Sequence, residues 1–330
     1  MKKSDLLLTL LLLLTANGVS AQGAGPPDCP QFQEAATLGQ ADIPGLTEAS
    51  GLAASRAHPG LLWTHNDSGN APTLFALESS GTRRAVYTVS GITNQDWEDL
   101  SIGPGPLPGK DYLYLADMGD NAEARSSITV YRVLEPEVPN SDPGDPLALP
   151  GAVSLEFEYP DGAHDAETLL VDPAQGDLYI VTKDRSAGVS GLYRAAYPQN
   201  ESGLSTLEHL GDIPFAGNRA QRLATGGDIS ATGEAIVIRT YLEAHLWPRS
   251  PGESIAQTLQ KPRCTTFLAL EPQGEAIAFT PDGQAFITLS EGTGQPIYQY
   301  TVIPATSLLG PSGVGLLAGF LTLTGFHRAL

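Results

Sequence analysis

Apolar residues come in short runs broken by Gly, Pro, Asp and Asn, and between residues 48 and 300 no run carries the i, i+3, i+4, i+7 stripe of an amphipathic helix. The pattern predicts strands and tight turns, with three strand types recurring in a fixed order. The first contains Ser50-Gly51-Leu52, Glu98-Asp99-Leu100, Glu167-Thr168-Leu169, Gly227-Asp228-Ile229 and Glu275-Ala276-Ile277. The second contains Leu61-Leu62-Trp63-Thr64, Tyr112-Leu113-Tyr114-Leu115, Asp177-Leu178-Tyr179-Ile180, Ala235-Ile236-Val237-Ile238 and Ala285-Phe286-Ile287-Thr288. The third has a large apolar centre: Leu74-Phe75-Ala76-Leu77, Val130-Tyr131-Arg132-Val133, Leu192-Tyr193-Arg194-Ala195, His245-Leu246-Trp247 and Ile297-Tyr298-Gln299-Tyr300.

Positions 50, 98, 167, 227 and 275 are spaced by 48, 69, 60 and 48 residues. Repeats of that size, each holding one small antiparallel sheet, indicate an all-β fold, a β-propeller with five blades. A sixth blade built from the tail is the alternative count, and a sandwich leaves the repeats unexplained. Outer strands are expected at 85–89, 153–157, 206–210 and 254–258. The fifth module lacks one, and residues 32–38 have the matching pattern, so an N-terminal strand is expected to complete the last blade and close the ring.

In a propeller the first strands line the central channel, which makes carboxylates there informative. Glu98, Glu167 and Glu275 share one position; Glu48, Asp96, Asp165, Thr225 and Gln273 precede it by two residues, and Asp99 and Asp228 follow it by one. Converging carboxylates repel unless a cation joins them or some stay protonated. A hard cation with oxygen ligands and tolerant geometry answers that, which makes Ca²⁺ the expected ion and Glu98, Glu167, Asp228 and Glu275 its expected ligands. The competing reading has the acids capping strands. Second-strand ends are also polar, at His65-Asn66-Asp67-Ser68-Gly69, Asp117 to Asn121 and Ser290-Glu291-Gly292, but Asx and Gly serve any tight turn and these are read as structural. His65, Asp96 and His164 are the candidate proton acceptors, and Lys183, Arg239 and Tyr241 the candidate contacts to an anionic substrate. No GxSxG, HExxH, P-loop or helix-opening GxGxxG occurs.

Charge and leader narrow the setting. With 18 Lys+Arg against 37 Asp+Glu the net charge is −19, which argues against nucleic acid and anionic membranes as partners. Residues 1–21 read as a Sec-type signal peptide: Lys2 and Lys3, an apolar stretch from Leu6 to Leu14, and small residues at Val19-Ser20-Ala21. A secreted or periplasmic monomer follows, with the propeller at 22–300. The tail at 301–330 is uncharged from Ile303 to Phe326 but broken by Gly and Pro, so no stable membrane span is expected. Cys29 and Cys264 either pair or remain two buried thiols; a bridge would pin the closing strand.

The motifs Ser50-Gly51-Leu52-Ala53, Asn66-Asp67-Ser68-Gly69, Asp96-Trp97-Glu98-Asp99-Leu100, Asp117-Met118-Gly119-Asp120-Asn121, Asp165-Ala166-Glu167, Gly226-Gly227-Asp228-Ile229-Ser230 and Gln273-Gly274-Glu275-Ala276-Ile277 resemble, in that order, a family of exported bacterial β-propellers of undefined activity. More distantly the chain is similar to phytase-like and SdiA-regulated propellers and to the gluconolactonase and paraoxonase group. The latter resemblance implies Ca²⁺ held in the channel by Glu98, Glu167 and Glu275. The chain departs from it in lacking the group's asparagine ligands, and from the phytases in lacking a recognisable second cluster of calcium ligands. Two functions follow as expectations: a Ca²⁺-dependent hydrolase of phosphoesters or lactones, or a non-catalytic propeller that binds a protein or glycan at the cell surface.

Overall fold

The computed structural model describes residues 29–186 and 188–303; the expected leader and the tail beyond residue 303 lie outside the described residues. Five sheets form a five-bladed propeller. The inner strands are Ala49–Ala54, Trp97–Pro104, Ala166–Val171, Ala224–Ile229 and Gly274–Phe279. Each packs on its neighbours in chain order and the last packs on the first, which closes the ring at five and leaves no place for a sixth.

Two antiparallel strands follow in every blade, as the apolar runs require. Between each pair of neighbouring blades lies one apolar cluster, so each sheet is buried on both faces and its strands read as nearly unbroken apolar runs. Trp63 and Trp97 fill the interface of blades 1 and 2, and Trp247 that of blades 3 and 4.

The N-terminal residues complete blade 5. Gln31–Phe32 and Ala36–Ala41 both run antiparallel to Gln295–Ile303, which extends three residues past the boundary expected at 300. Cys29 and Cys264 are bridged, with Cα atoms 5.5 Å apart. The bridge ties Cys29, two residues before the closing strand, to the outer strand of blade 4, Cys264–Phe267. It spans 235 residues, and in the chain-entropy description a loop that long stabilises by about 5 kcal/mol. A structural disulfide also fits an extracellular or periplasmic setting.

Two of the expected outer strands need correction. Residues 254–258 are not a strand: Ile255–Leu259 is a helix opened by a capping box, in which Ser254 Oγ accepts from Gln257 N and Gln257 Oε1 accepts from Ser254 N. The outer strand of blade 4 is Cys264–Phe267 instead. In blade 3 the outer strand is Glu208–Pro214, while Ser205–Thr206 pairs in parallel with Val153–Glu158 of blade 2.

One irregularity repeats around the ring. At the channel mouth each inner strand carries one residue more than its partner, a β-bulge. The unpaired residue is Glu98 in blade 2, Glu167 in blade 3, Thr225 in blade 4 and Glu275 in blade 5; in blade 1 the extra residue falls at Ser50-Gly51. A bulge bends its strand and re-aims the side chain it frees. The blade 4 bulge lies two residues earlier than the repeat suggests, at Thr225 rather than Gly227.

Candidate metal centre

Three backbone positions in each blade build the mouth: the bulge residue, the residue two before it, and the residue after the second strand. Main-chain bonds hold the last two together, from Asp67 N to Glu48 O at 2.8 Å, Met118 N to Asp96 O at 3.1 Å, Lys183 N to Asp165 O at 2.8 Å and Glu291 N to Gln273 O at 3.0 Å. Fixed pairs of side chains are thereby presented around one axis.

The result is three overlapping carboxylate triads: Asp67, Asp96 and Glu98; Asp67, Glu275 and Glu291; and Glu98, Asp165 and Glu167. Within each triad one oxygen from every member lies within 4.8 Å of the others. Glu98 belongs to two triads and is only 3% exposed. Among the described residues no hydrogen-bond donor reaches its carboxylate; the bond from Ser50 Oγ goes to its main-chain oxygen. Burial, then Glu167, Asp67, Glu275 and Asp96, push its pKa well above the carboxylate range. Asp67 is raised to about 7, mainly by burial, against the bond from Ser68 N. Burial and the shared hydrogen bond with Glu275 raise Glu291 to about 9. Gln273 Nε2 donates to both members of that pair, at 3.1 and 2.8 Å.

Gly119 makes room for the first triad. A Cβ there would lie 2.2 Å from Glu98 Oε1 and 2.6 Å from Asp96 Oδ2, so the two carboxylates fill the space a side chain would take. Arg125 donates to Asp117 Oδ1 at 2.9 Å and to Gly119 O at 3.0 Å, which fixes this loop without touching the triad.

The blade 3 side is compensated. Lys183, 2% exposed, donates to Glu167 and to Tyr241 Oη, the latter at 2.8 Å, and its ammonium lies 5.0 Å above the Tyr241 ring. Burial opposes that ammonium, but Glu167 and Tyr241 more than offset it and hold its pKa up. Tyr241 in turn donates to Glu275 at 3.4 Å, and Arg185 covers Asp165 at 2.8 Å.

The remaining sequence candidates lie elsewhere. Asp228 is not at the mouth: because the blade 4 bulge falls at Thr225, its carboxylate sits deeper and accepts from Ile229 N and Phe279 N, both at 2.8 Å. Asp99 plays a similar part, accepting from Leu100, Leu169 and Gly227 and so joining blades 2, 3 and 4. Arg239 is not available to substrate: fully buried, it donates to Glu271 at 2.6 Å and to Ala276 O at 2.9 Å between blades 4 and 5. His65 is packed edge-on against Trp97, ring centroids 5.4 Å apart, and burial lowers its pKa to about 4. His164 lies outside the triads, bonded to Asp161 at 3.1 Å and Tyr193 at 3.0 Å. It lines a groove of about 440 Å³ that begins at Asp165 and Lys183 and also touches Glu123, Asp184, His209 and Asp212.

Asp67, Asp165 and Glu291 are the ligand candidates that the sequence reading passed over. Their signal was positional: Asp67 and Glu291 directly follow a second strand, and Asp165 stands two before a bulge. No protein-family model matches the chain, and no curated protein matches it.

Proposed function

We propose that the channel mouth holds one divalent cation on Asp67, Asp96 and Glu98, that the ion is Ca²⁺, and that the protein is a secreted hydrolase of uncharged esters or lactones. The observation that carries this reading is the Glu98 carboxylate, buried among other carboxylates with no donor to compensate it among the described residues. An all-oxygen donor set of unequal depth suits Ca²⁺ better than a metal that demands strict octahedral or nitrogen and sulfur coordination. When bound, Ca²⁺ would polarise a carbonyl oxygen and acidify a water beside it.

The chain's own residues supply the rest. Glu291, with its pKa raised to about 9, keeps a proton at neutral pH to give to a departing alkoxide, and Glu275, held beside it by Gln273, would take the proton that the attacking water loses. The groove beside the mouth is lined by Glu123, Asp161, Asp165, Asp184 and Asp212, and the ammonium of Lys183 is already committed to Glu167. An uncharged ester suits those surroundings better than the anionic substrate suggested by sequence.

The second reading, a structural ion in a non-catalytic binding propeller, draws on the placement of His65 and His164 outside the triads. Metal analysis of purified protein, with melting measured with and without a chelator, tests the ion. Ester, lactone and phosphoester panels on wild type and Glu98→Gln then separate the readings. Hydrolysis lost on chelation and in Glu98→Gln supports the hydrolase, while a calcium-bearing but inert protein supports the scaffold. A metal-free protein with unchanged melting overturns both.

A further inference from the structure

The position after the second strand carries Asp67 in blade 1, Glu291 in blade 5 and Lys183 in blade 3. The main-chain bonds of 2.8, 3.0 and 2.8 Å described above make these three places equivalent in the repeat. Two carry a carboxyl group and the third an ammonium. That ammonium is bound to Glu167, a member of the third triad, and is almost wholly buried. Two of its three protons are committed, to Glu167 and Tyr241, and the Tyr241 ring covers it. It is poorly placed to grip a substrate anion and well placed to neutralise its own blade. The unpartnered Glu98, which the third triad shares with the first, identifies the region as one that calls for positive charge.

We propose that Lys183 is a tethered counter-ion: its ammonium fills a second cation position at the mouth and thereby limits the protein to one divalent ion, on the side of Asp67 and Asp96. This rests on the reading of the first triad as a cation site. Removing the ammonium while keeping the carboxylates opens a second site on Glu98 and Glu167, beside Asp165, which stays paired with Arg185 at 2.8 Å. The blade 3 position thus sets how many ions the mouth takes.

Calcium titration calorimetry and native mass spectrometry on the full chain test this with Ca²⁺ alone as the probe. Wild type is expected to bind one Ca²⁺ and Lys183→Met two, with the Glu167→Gln/Lys183→Met double variant returning to one. Lys183→Met is also expected to melt lower than wild type in chelator and to recover in millimolar Ca²⁺, a rescue that the double variant does not need. One ion in both wild type and Lys183→Met overturns the tethered counter-ion and leaves the first site standing. Two ions in wild type overturn it as well, and no ion in wild type overturns the cation reading beneath it. Should Lys183→Met fold only poorly, production with and without added calcium decides. Recovery by Ca²⁺ supports the proposal, and failure to recover while the double variant folds refutes it.

Discussion

The two sides of the channel mouth solve one electrostatic problem differently. On the side of blades 3 and 4, Glu167 and Asp165 meet Lys183 and Arg185, and Thr225 replaces the bulge glutamate. On the side of blades 5, 1 and 2, Glu48, Asp67, Asp96, Glu98, Glu275 and Glu291 gather around the mouth, and none of them is paired with a Lys or Arg among the described residues. Every inner strand on both sides bulges at the mouth, so the difference lies chiefly in side chains. A buried carboxylate that is paired supports structure; one left unpaired is tolerated because something else is meant to bind there.

That contrast breaks most readily under pH. Asp67 and Asp228 are each raised to about 7 from the ordinary aspartate value of 3.8, chiefly by burial, and Glu291 is raised to about 9. A carboxyl whose folded pKa is raised binds protons that the unfolded chain has released. Its contribution is fully present below the unfolded pKa and is lost as pH rises through the folded one. Denaturant unfolding of calcium-free protein should therefore show stability falling by several kcal/mol from about pH 5 to pH 9. Glu98 and Asp99, both held well above the carboxylate range by burial, contribute alongside Asp67 and Asp228, while solvent screens much of the half-exposed Glu291. Saturating Ca²⁺ should flatten the part that comes from Asp67 and leave the part from Asp228, which lies away from the triads.

Lys183→Met comes next. It leaves Glu167 with Arg185 alone, 3.7 Å away, and should lower stability in chelator by about 3 kcal/mol, read from urea unfolding at neutral pH. The opposite half should respond with the opposite sign. Glu98→Gln removes a carboxyl that folding holds protonated against its ordinary pKa, so calcium-free protein should become more stable while Ca²⁺ affinity falls about 100-fold, near 3 kcal/mol by calorimetry. A Glu98→Gln protein less stable than wild type in chelator would show that Glu98 is compensated after all. Gly119→Ala should have the smallest effect. Its methyl group collides with Asp96 and Glu98, and a loss of affinity of about tenfold is expected with the Lys183 side unchanged.

Much of the fold was legible because the blade repeats its apolar runs, and the inner strands carry Glu98, Glu167 and Glu275 at one place. The reading slipped where a local alternative imitated the repeat. Gly227-Asp228 resembles Glu98-Asp99 in sequence, yet Gly226 and not Gly227 follows the bulge, since a Cβ there would come within 2.3 Å of Glu275 O. Ser254 to Thr258 falls where the repeat calls for an outer strand, but its capping box closes a helical turn that the spacing of modules does not reveal. Asp67 and Glu291 read as turn residues, because an acid within two residues of a Gly after a strand is what turns use. Only the assembled ring shows that they face Glu275. Arg239 failed for another reason: a cation at a second-strand end reads as a contact for an anionic substrate, whereas the guanidinium is locked onto Glu271.

Ring closure has a consequence for how the chain comes to its final state. Gln31–Phe32 and Ala36–Ala41 leave the ribosome long before their partner, Gln295–Ile303, the last described strand. Until then the opening segment has no ladder to join, and blade 5 ends in a bare strand edge. Contacts of such sequence separation form late and slowly. The Cys29–Cys264 bond can settle only once blades 4 and 5 stand side by side, so thiol oxidation marks the completion of the ring and then makes it difficult to undo.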